Sequence, residues 1–128
     1  MSGFVYDASA ILAFLKRERG GERVMQVADH AVMSAVNYSE VVAKIHEGGG
    51  DIEVGVAALE NLRLSVLPFG AQEATEAGRL QSITHRTGIS FGDRACISLA
   101  QMRDATALTT DLRWSELPDG IAKIEQMR

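Results

Sequence analysis

The sequence predicts an α/β fold in which helices cover both faces of a parallel sheet. Short apolar segments alternate with longer segments of helical spacing along the 128 residues, and this alternation is typical of parallel strands buried on both sides. The length suits one domain with one hydrophobic core. Since the chain contains no repeat and no linker, we expect residues 1–128 to form a single domain.

Five short segments are predicted to be strands. Each is apolar, and turn residues or helix-start residues follow several of them. A polar residue often comes directly after the apolar run, as Asp7 does after the first. In chain order the predicted strands cover residues 3–6, 31–33, 64–69, 105–109 and 122–124.

Six segments between the strands are predicted to be helices. Three of them begin at a residue able to cap a helix, namely Ser34, Asp51 and Ser90. Ser90 is followed three residues later by Asp93, which resembles a capping box with Asp in place of Glu. In chain order the predicted helices cover residues 8–18, 22–29, 35–47, 52–61, 71–87 and 90–102, and glycines terminate several of them.

Composition excludes several classes of function. The chain has 13 Lys and Arg against 17 Asp and Glu, a net charge of −4, and no basic tail that would announce a nucleic-acid binder. The apolar run at residues 5–15 is too short for a membrane span and lacks the preceding basic region of a signal peptide. The single Cys96 fits a reducing cytoplasm. No phosphate-binding loop occurs, and the three histidines lack metal-ligand spacing.

Four acidic residues stand at places that suggest one shared site. Asp7 directly follows the first predicted strand and Asp111 comes just after the fourth, and the carboxyl ends of parallel strands open onto the functional crevice of such folds. Glu40 and Asp93 are predicted on the first turns of helices that face the same rim. Taken singly, Asp7 could be a helix cap, Asp93 a response to the helix dipole and Asp111 a turn residue. Glu40 is harder to explain, because it borders an apolar stripe.

Clustered carboxylates predict a divalent-metal site. They repel one another, which raises at least one pKa unless a cation is present. Mg²⁺ or alternatively Mn²⁺ would relieve the repulsion and activate water for attack on a phosphodiester.

Neighbouring hydroxyls could orient an acid or simply mark element ends; these belong to Ser9, Thr109 and Thr110. Scattered cations could contact phosphates or be solvated surface; these are Lys16, Arg86, Arg94 and Arg113. Trp114 could stack a base, although a buried anchor beneath the last strand is the favoured interpretation, and Cys96 is predicted to be packed core.

Four motifs resemble, in their order along the chain, those of PIN-domain ribonucleases, specifically VapC-type toxins of type II toxin–antitoxin systems. They are VYDASAILA, VNYSEVVAK, GISFGDRACISLA and ALTTDLRWSEL. The resemblance covers essentially the whole chain. It implies a three-layer α/β/α sandwich with a five-stranded parallel sheet, metal-dependent endonucleolytic cleavage of RNA, inhibition by a cognate antitoxin and a homodimer. Asp7, Glu40, Asp93 and Asp111 match the four acidic positions of the family, with Asp7 and Asp93 as the surest Mg²⁺ ligands.

Two other functions remain open from the residues alone. A metal-dependent phosphatase would use a nucleophilic aspartate such as Asp7, but it usually has a second Asp two residues later, where this chain has Ser9, and a positioned Lys. A catalytically silent PIN-like module would act only through binding a partner. Nothing in mere binding requires four acids together.

Overall fold

The computed structural model describes residues 3–128 and contains one five-stranded sheet. The strands lie in the order β3-β2-β1-β4-β5, and every neighbouring pair is parallel. The five predicted strands are therefore confirmed, although the last begins and ends later than expected. In chain order the strands are β1 Phe4–Tyr6, β2 Ala31–Ser34, β3 Ser65–Leu67, β4 Thr106–Thr109 and β5 Lys123–Gln126.

Seven α-helices and two 3₁₀ turns connect the strands described in residues 3–128. Ser34, Asp51 and Ser90 cap helices as predicted, each through its side-chain oxygen. The helices are α1 Ala8–Leu15, α2 Arg23–Gln26, α3 Ala35–Glu47, α4 Ile52–Asn61, α5 Ala71–Arg79, α6 Gln81–Thr84 and α7 Phe91–Arg103, with 3₁₀ turns at Ala28–His30 and Leu112–Glu116. None of the helices in this part of the chain is long and apolar enough to cross a membrane.

Three predicted helices are shorter than the sequence pattern suggests. The first ends at Leu15 instead of residue 18, because the chain turns back early and Gly21 packs against the Ala13 carbonyl. The second is divided at Val27, whose φ of −110° and ψ of 5° leave the helical region. The predicted helix at residues 71–87 is also two helices. There the Thr84 hydroxyl donates a hydrogen bond to the Leu80 carbonyl, a contact that bends helices.

Both faces of the sheet are packed, as expected for a three-layer α/β/α sandwich. Successive residues of a strand point to opposite faces, and β1 shows this clearly: Tyr6 belongs to the core cluster beneath α1 to α4, whereas Val5 belongs to the cluster beneath α7. Leu108 and Ala107 of β4 divide in the same way. The sheet is therefore rigidly held at its centre, where β1 and β4 end side by side.

Candidate active site at the carboxyl edge of the sheet

The candidate site lies where the strand order reverses. From β1 the chain builds β2 and β3 on one side and then returns to build β4 and β5 on the other. Asp7 directly follows β1, and its backbone N–H donates a hydrogen bond to the Leu108 carbonyl of β4 at 3.0 Å. Asp111 lies two residues beyond the end of β4. Such a switch point leaves a crevice at the carboxyl ends of the two central strands.

Asp7 is buried and is held by hydroxyl groups from two elements. Only 4% of the residue is exposed. Its Oδ2 accepts hydrogen bonds from Ser9 Oγ at 2.6 Å and from Thr109 Oγ1 at 2.8 Å. Although Asp7 occupies the N-cap position of α1, its side chain caps no backbone N–H group. The helix-cap interpretation of Asp7 is therefore wrong, and Ser9 and Thr109 orient an acid.

Both hydroxyls are themselves fixed by the chain that follows β4. Ser9 Oγ accepts a hydrogen bond from the Thr110 backbone N–H, and Thr109 Oγ1 accepts one from the Asp111 backbone N–H, both at 3.0 Å. The third predicted hydroxyl, that of Thr110, takes no part in this network among the described residues. The loop after β4 thus fixes the position of the Asp7 carboxylate.

Asp93 lies at the first turn of α7, as predicted, and completes a capping box. Its Oδ2 accepts a hydrogen bond from the Ser90 backbone N–H at 3.0 Å, while Ser90 Oγ accepts one from the Asp93 backbone N–H at 3.2 Å. Only 8% of Asp93 is exposed. The structural and functional interpretations of this residue are therefore compatible, since one carboxylate oxygen caps the helix and the other does not.

Glu40 lies deeper in its helix than the sequence suggested. It is the sixth residue of α3, so the prediction that it sits on the first turn is wrong. It still reaches the site because α7 packs closely on α3 at Gly92. A Cβ atom at Gly92 would collide with the Glu40 carboxylate. Only glycine leaves room for this carboxylate beside the start of α7.

Sequence reasoning missed Asn37 as a member of the site. The residue is fully buried, and its Nδ2 donates hydrogen bonds to Glu40 Oε1 at 2.8 Å and to the Gly92 carbonyl at 2.9 Å. Its Oδ1 is buried with no partner among the described residues. The available signal was its spacing, because Asn37 precedes Glu40 by three residues and so shares its helix face. Asn37 ties α3 to α7 and orients Glu40.

The three carboxylates of Asp7, Glu40 and Asp93 repel one another. Burial raises the pKa of Asp7 from 3.8 to about 6; the Ser9 and Thr109 hydrogen bonds oppose this shift, and the Asp93 and Glu40 carboxylates add to it. Burial and Asp93 also raise the pKa of Glu40, although the hydrogen bond from Asn37 acts in the opposite direction. A bound cation would remove this penalty.

Asp111 differs from the other three acids. The Arg113 side chain donates to both of its oxygens, with Nη2 to Oδ2 at 2.7 Å and Nε to Oδ1 at 3.1 Å. This pairing lowers the pKa of Asp111. Asp111 Oδ1 also accepts the Arg113 backbone N–H at 2.9 Å and so caps the 3₁₀ turn, which agrees with the turn interpretation of this residue. Arg113 Nη2 lies 3.8 Å from Asp93 Oδ2, so the ion pair borders the cluster.

The donor set of the site fits a divalent metal ion. Asp7, Glu40 and Asp93 each use one carboxylate oxygen in hydrogen bonds, and no hydrogen bond reaches the other oxygen from within residues 3–128. No three His, Cys, Asp or Glu side chains in that range are close enough to ligate one ion together. An ion held here would therefore contact at most two of these side chains directly and keep waters as its other ligands, as Mg²⁺ commonly does.

The remaining predicted residues lie away from this chemistry or beneath it. Trp114 and Cys96 are buried in the core under α7, as predicted, and burial raises the pKa of the Cys96 thiol. Arg94 lies over the Phe91 ring and donates to the Ala77 carbonyl. The residues without a place in the site are exposed; these are Lys16, His30, His46, His85 and Arg86.

Comparisons with known proteins identify similar sequences and folds. The family model of the PIN domain matches residues 4–120. A DNA-bound VapBC from Salmonella typhimurium superposes with a TM-score of 0.77 at 22% identity, covering 100% of both chains. A toxin–antitoxin complex from Klebsiella pneumoniae gives 0.74 at 12% identity, with 98% of each chain covered. VapBC-5 from Mycobacterium tuberculosis, of the VapBC family of toxin–antitoxin systems, gives 0.64 at 23%, covering 100% of this chain and 99% of that one. No curated protein matches the sequence.

Proposed function

Because this chain belongs to the PIN-domain family and has the PIN-like α/β/α fold of the VapBC structures, we propose that it is a Mg²⁺-dependent endoribonuclease and the toxin of a type II toxin–antitoxin pair. The observation that carries the proposal is the cluster of buried Asp7 and Asp93 with half-buried Glu40, whose mutual repulsion a divalent ion would relieve. Mn²⁺ is expected to substitute for Mg²⁺. RNA as the substrate rests on the resemblance of the four motifs.

In the proposed mechanism the chain's residues position one proton acceptor and two metal ligands. Mg²⁺ supplies a Lewis acid and lowers the pKa of water when it is bound. Asp7 and Asp93 would hold the ion, since each has a carboxylate oxygen that receives no hydrogen bond from within residues 3–128. Asn37 holds Glu40 beside Gly92, and Oε2, which receives no hydrogen bond from within residues 3–128, would be free to accept the proton of the attacking water. Burial of Asp7 and Asp93 keeps bulk water from weakening these interactions.

A cleavage assay with purified protein tests the enzymatic proposal. We expect cleavage of RNA, with tRNA included among the substrates, that requires added Mg²⁺ or Mn²⁺ and is lost in Asp7→Ala and Asp93→Asn. Asn keeps the helix-start position of Asp93 polar, so Asp93→Asn should fold. Asp119→Asn, at an exposed residue, is the matched control and should cleave normally. Intact RNA with wild-type protein and metal, together with undiminished toxicity of both variants in cells, would show that the proposal is wrong.

Two outcomes of related measurements would favour the other functions. A trapped phosphoryl adduct on Asp7 would identify a phosphatase. The absence of any thermal stabilisation by Mn²⁺ would favour a silent binding module, because a formed site stabilises the fold when its ligand binds.

The proposed partners are a cognate antitoxin and a second copy of this chain. Their support is the likeness of the fold to toxin–antitoxin complexes. We expect a small open reading frame directly upstream to encode a protein that copurifies with this chain and suppresses its toxicity. Light scattering of the purified chain alone should give twice the mass of 13.8 kDa. A monomeric mass would contradict the dimer without affecting the antitoxin test.

A further inference from the structure

We propose that Asp111 is not a metal ligand but a positioning residue, and that it holds Arg113 ready to bind a phosphate group of the RNA beside the metal site. This inference rests on the proposed function and revises it at one residue, since the motif match alone counts Asp111 with the ligands. The carrying observation is the contrast in how the oxygens of the four acids are used.

Both oxygens of Asp111 are already occupied. Oδ1 accepts hydrogen bonds from the backbone N–H and Nε of Arg113, and Oδ2 accepts from Nη2 at 2.7 Å and Nε at 3.2 Å. The three other acids each have an oxygen that no group within residues 3–128 reaches by a hydrogen bond. A metal ion at Asp111 would have to share these oxygens with the guanidinium or displace it, which is not required at the free oxygens of the other three acids.

The Arg113 guanidinium is held from two sides and open on a third. Its Nη1 donates to the Gly88 carbonyl at 3.0 Å, and Asp111 holds Nε and Nη2. Gly88 has a φ of +74°, a left-handed conformation that only glycine adopts without strain. Yet 55% of the Arg113 side chain is exposed, and Nη2 lies 3.8 Å from Asp93. The fork therefore borders the acid cluster with N–H groups to spare, since a guanidinium has five.

The charges of the site call for such a cation. Three carboxylates exceed the charge of one divalent ion, so a phosphodiester would meet a site that is not positive. The chain as a whole is negative and supplies no attractive field. Lys44 lies close enough to affect Glu40, but it forms its ion pair with Glu47. Arg113 is the cation that contacts the cluster in the described part of the chain. Its charge is matched by that of Asp111, so it offers a phosphate the directed N–H groups of its planar fork and not a net positive charge.

The first test asks which acids bind metal, with Mn²⁺ alone as the probe. Calorimetric titration of the full chain should show Asp93→Asn binding Mn²⁺ more than about tenfold more weakly than wild type and Asp111→Asn within about threefold, because only the first substitution removes the charge of a metal ligand. Asn remains a good cap for the 3₁₀ turn. Equal losses in the two variants would overturn the assignment of Asp111.

The second test asks whether Arg113 binds a phosphate. Binding of single-stranded RNA is measured in the Asp7→Asn background, which keeps the RNA intact, over a range of salt concentrations. The logarithm of the binding constant falls as the logarithm of the salt concentration rises. Adding Arg113→Gln should make this slope shallower by about 0.7, the contribution of one phosphate contact on a single strand. Arg79→Gln removes another exposed, ion-paired arginine and should leave the slope unchanged. An unchanged slope in Arg113→Gln would overturn the phosphate contact.

A double variant tests whether Asp111 acts through Arg113. If it does, adding Asp111→Asn to Arg113→Gln should weaken RNA binding no further, because the two residues act as one unit. Additive losses would overturn the positioning role. Arg113→Lys, which keeps the charge without the fork, should recover the salt slope but only part of the affinity. If wild-type protein leaves RNA intact and the Asp7→Ala and Asp93→Asn variants remain toxic, the endoribonuclease proposal fails, whereas the Mn²⁺ titrations still decide whether Asp111 is a metal ligand.

Discussion

Replacing Asp7 with Asn should stabilise the metal-free protein at neutral and higher pH. The pKa of Asp7 rises from 3.8 to about 6 on folding, and each pKa unit corresponds to about 1.4 kcal/mol. Ionising Asp7 in the metal-free fold therefore costs about 3 kcal/mol. Asn has the same shape, and its Oδ1 still accepts the Ser9 and Thr109 hydroxyls, but it carries no charge toward Asp93 and Glu40.

The sign of the pH dependence follows from proton binding. Between about pH 4 and pH 6 the folded protein holds the Asp7 proton more tightly than the unfolded chain does, so this group's contribution to the free energy of unfolding falls as the pH rises. The stability is fully present below the unfolded pKa of 3.8 and is lost through about 6. Asp7→Asn should thus match wild type near pH 4 and exceed it by about 2–3 kcal/mol near pH 8.

Urea denaturation with a chelator present, followed by circular dichroism across this pH range, measures the difference. Asp119→Asn, at an exposed position, should track wild type throughout. Saturating Mn²⁺ should reverse the order, because wild type gains binding energy that the variant lacks. If Asp7→Asn were less stable than wild type near pH 8 without metal, the buried carboxylate would be favourable and the argument for a metal site from repulsion would fail.

Two further substitutions test the packing around the acids. Gly92→Ala should displace Glu40 and lower both Mn²⁺ affinity and RNA cleavage. Gly78→Ala, whose Cβ would meet open space, should only stabilise its helix by about 1 kcal/mol. If thermal melts and Mn²⁺ titrations do not separate the two variants, the close approach of Gly92 to the Glu40 carboxylate is contradicted. Thr109→Val removes a donor to the Asp7 carboxylate and an acceptor of a backbone N–H, so urea denaturation should show a loss of about 1–3 kcal/mol that grows above pH 6. An unchanged unfolding free energy would show that the hydroxyl does not support Asp7.

Local signals in the sequence located much of this structure correctly. Short apolar segments alternate along the chain with segments of helical spacing. This alternation predicted the parallel sheet because each strand and each helix must bury its apolar face. The Ser90 and Asp93 capping box was readable because its two members are three residues apart and act within one helix turn. Helix ends were less predictable, since the early end of α1 depends on the Ala13 carbonyl, a contact made only after the chain turns back.

The sequence by itself determined the fold class, the positions of Asp7 and Asp111 after strands and that of Asp93 at a helix start, because these depend on periodicity and on neighbours a few residues away. Only the tertiary structure decided how the acids are used. Asn37 and Glu40 meet Gly92 across more than 50 residues of chain, and Arg113 takes both oxygens of Asp111 while turning toward Asp93. Which carboxylate oxygens remain available to a metal depends on distances between residues that are far apart in the sequence. The spacing of residues along the chain does not determine those distances.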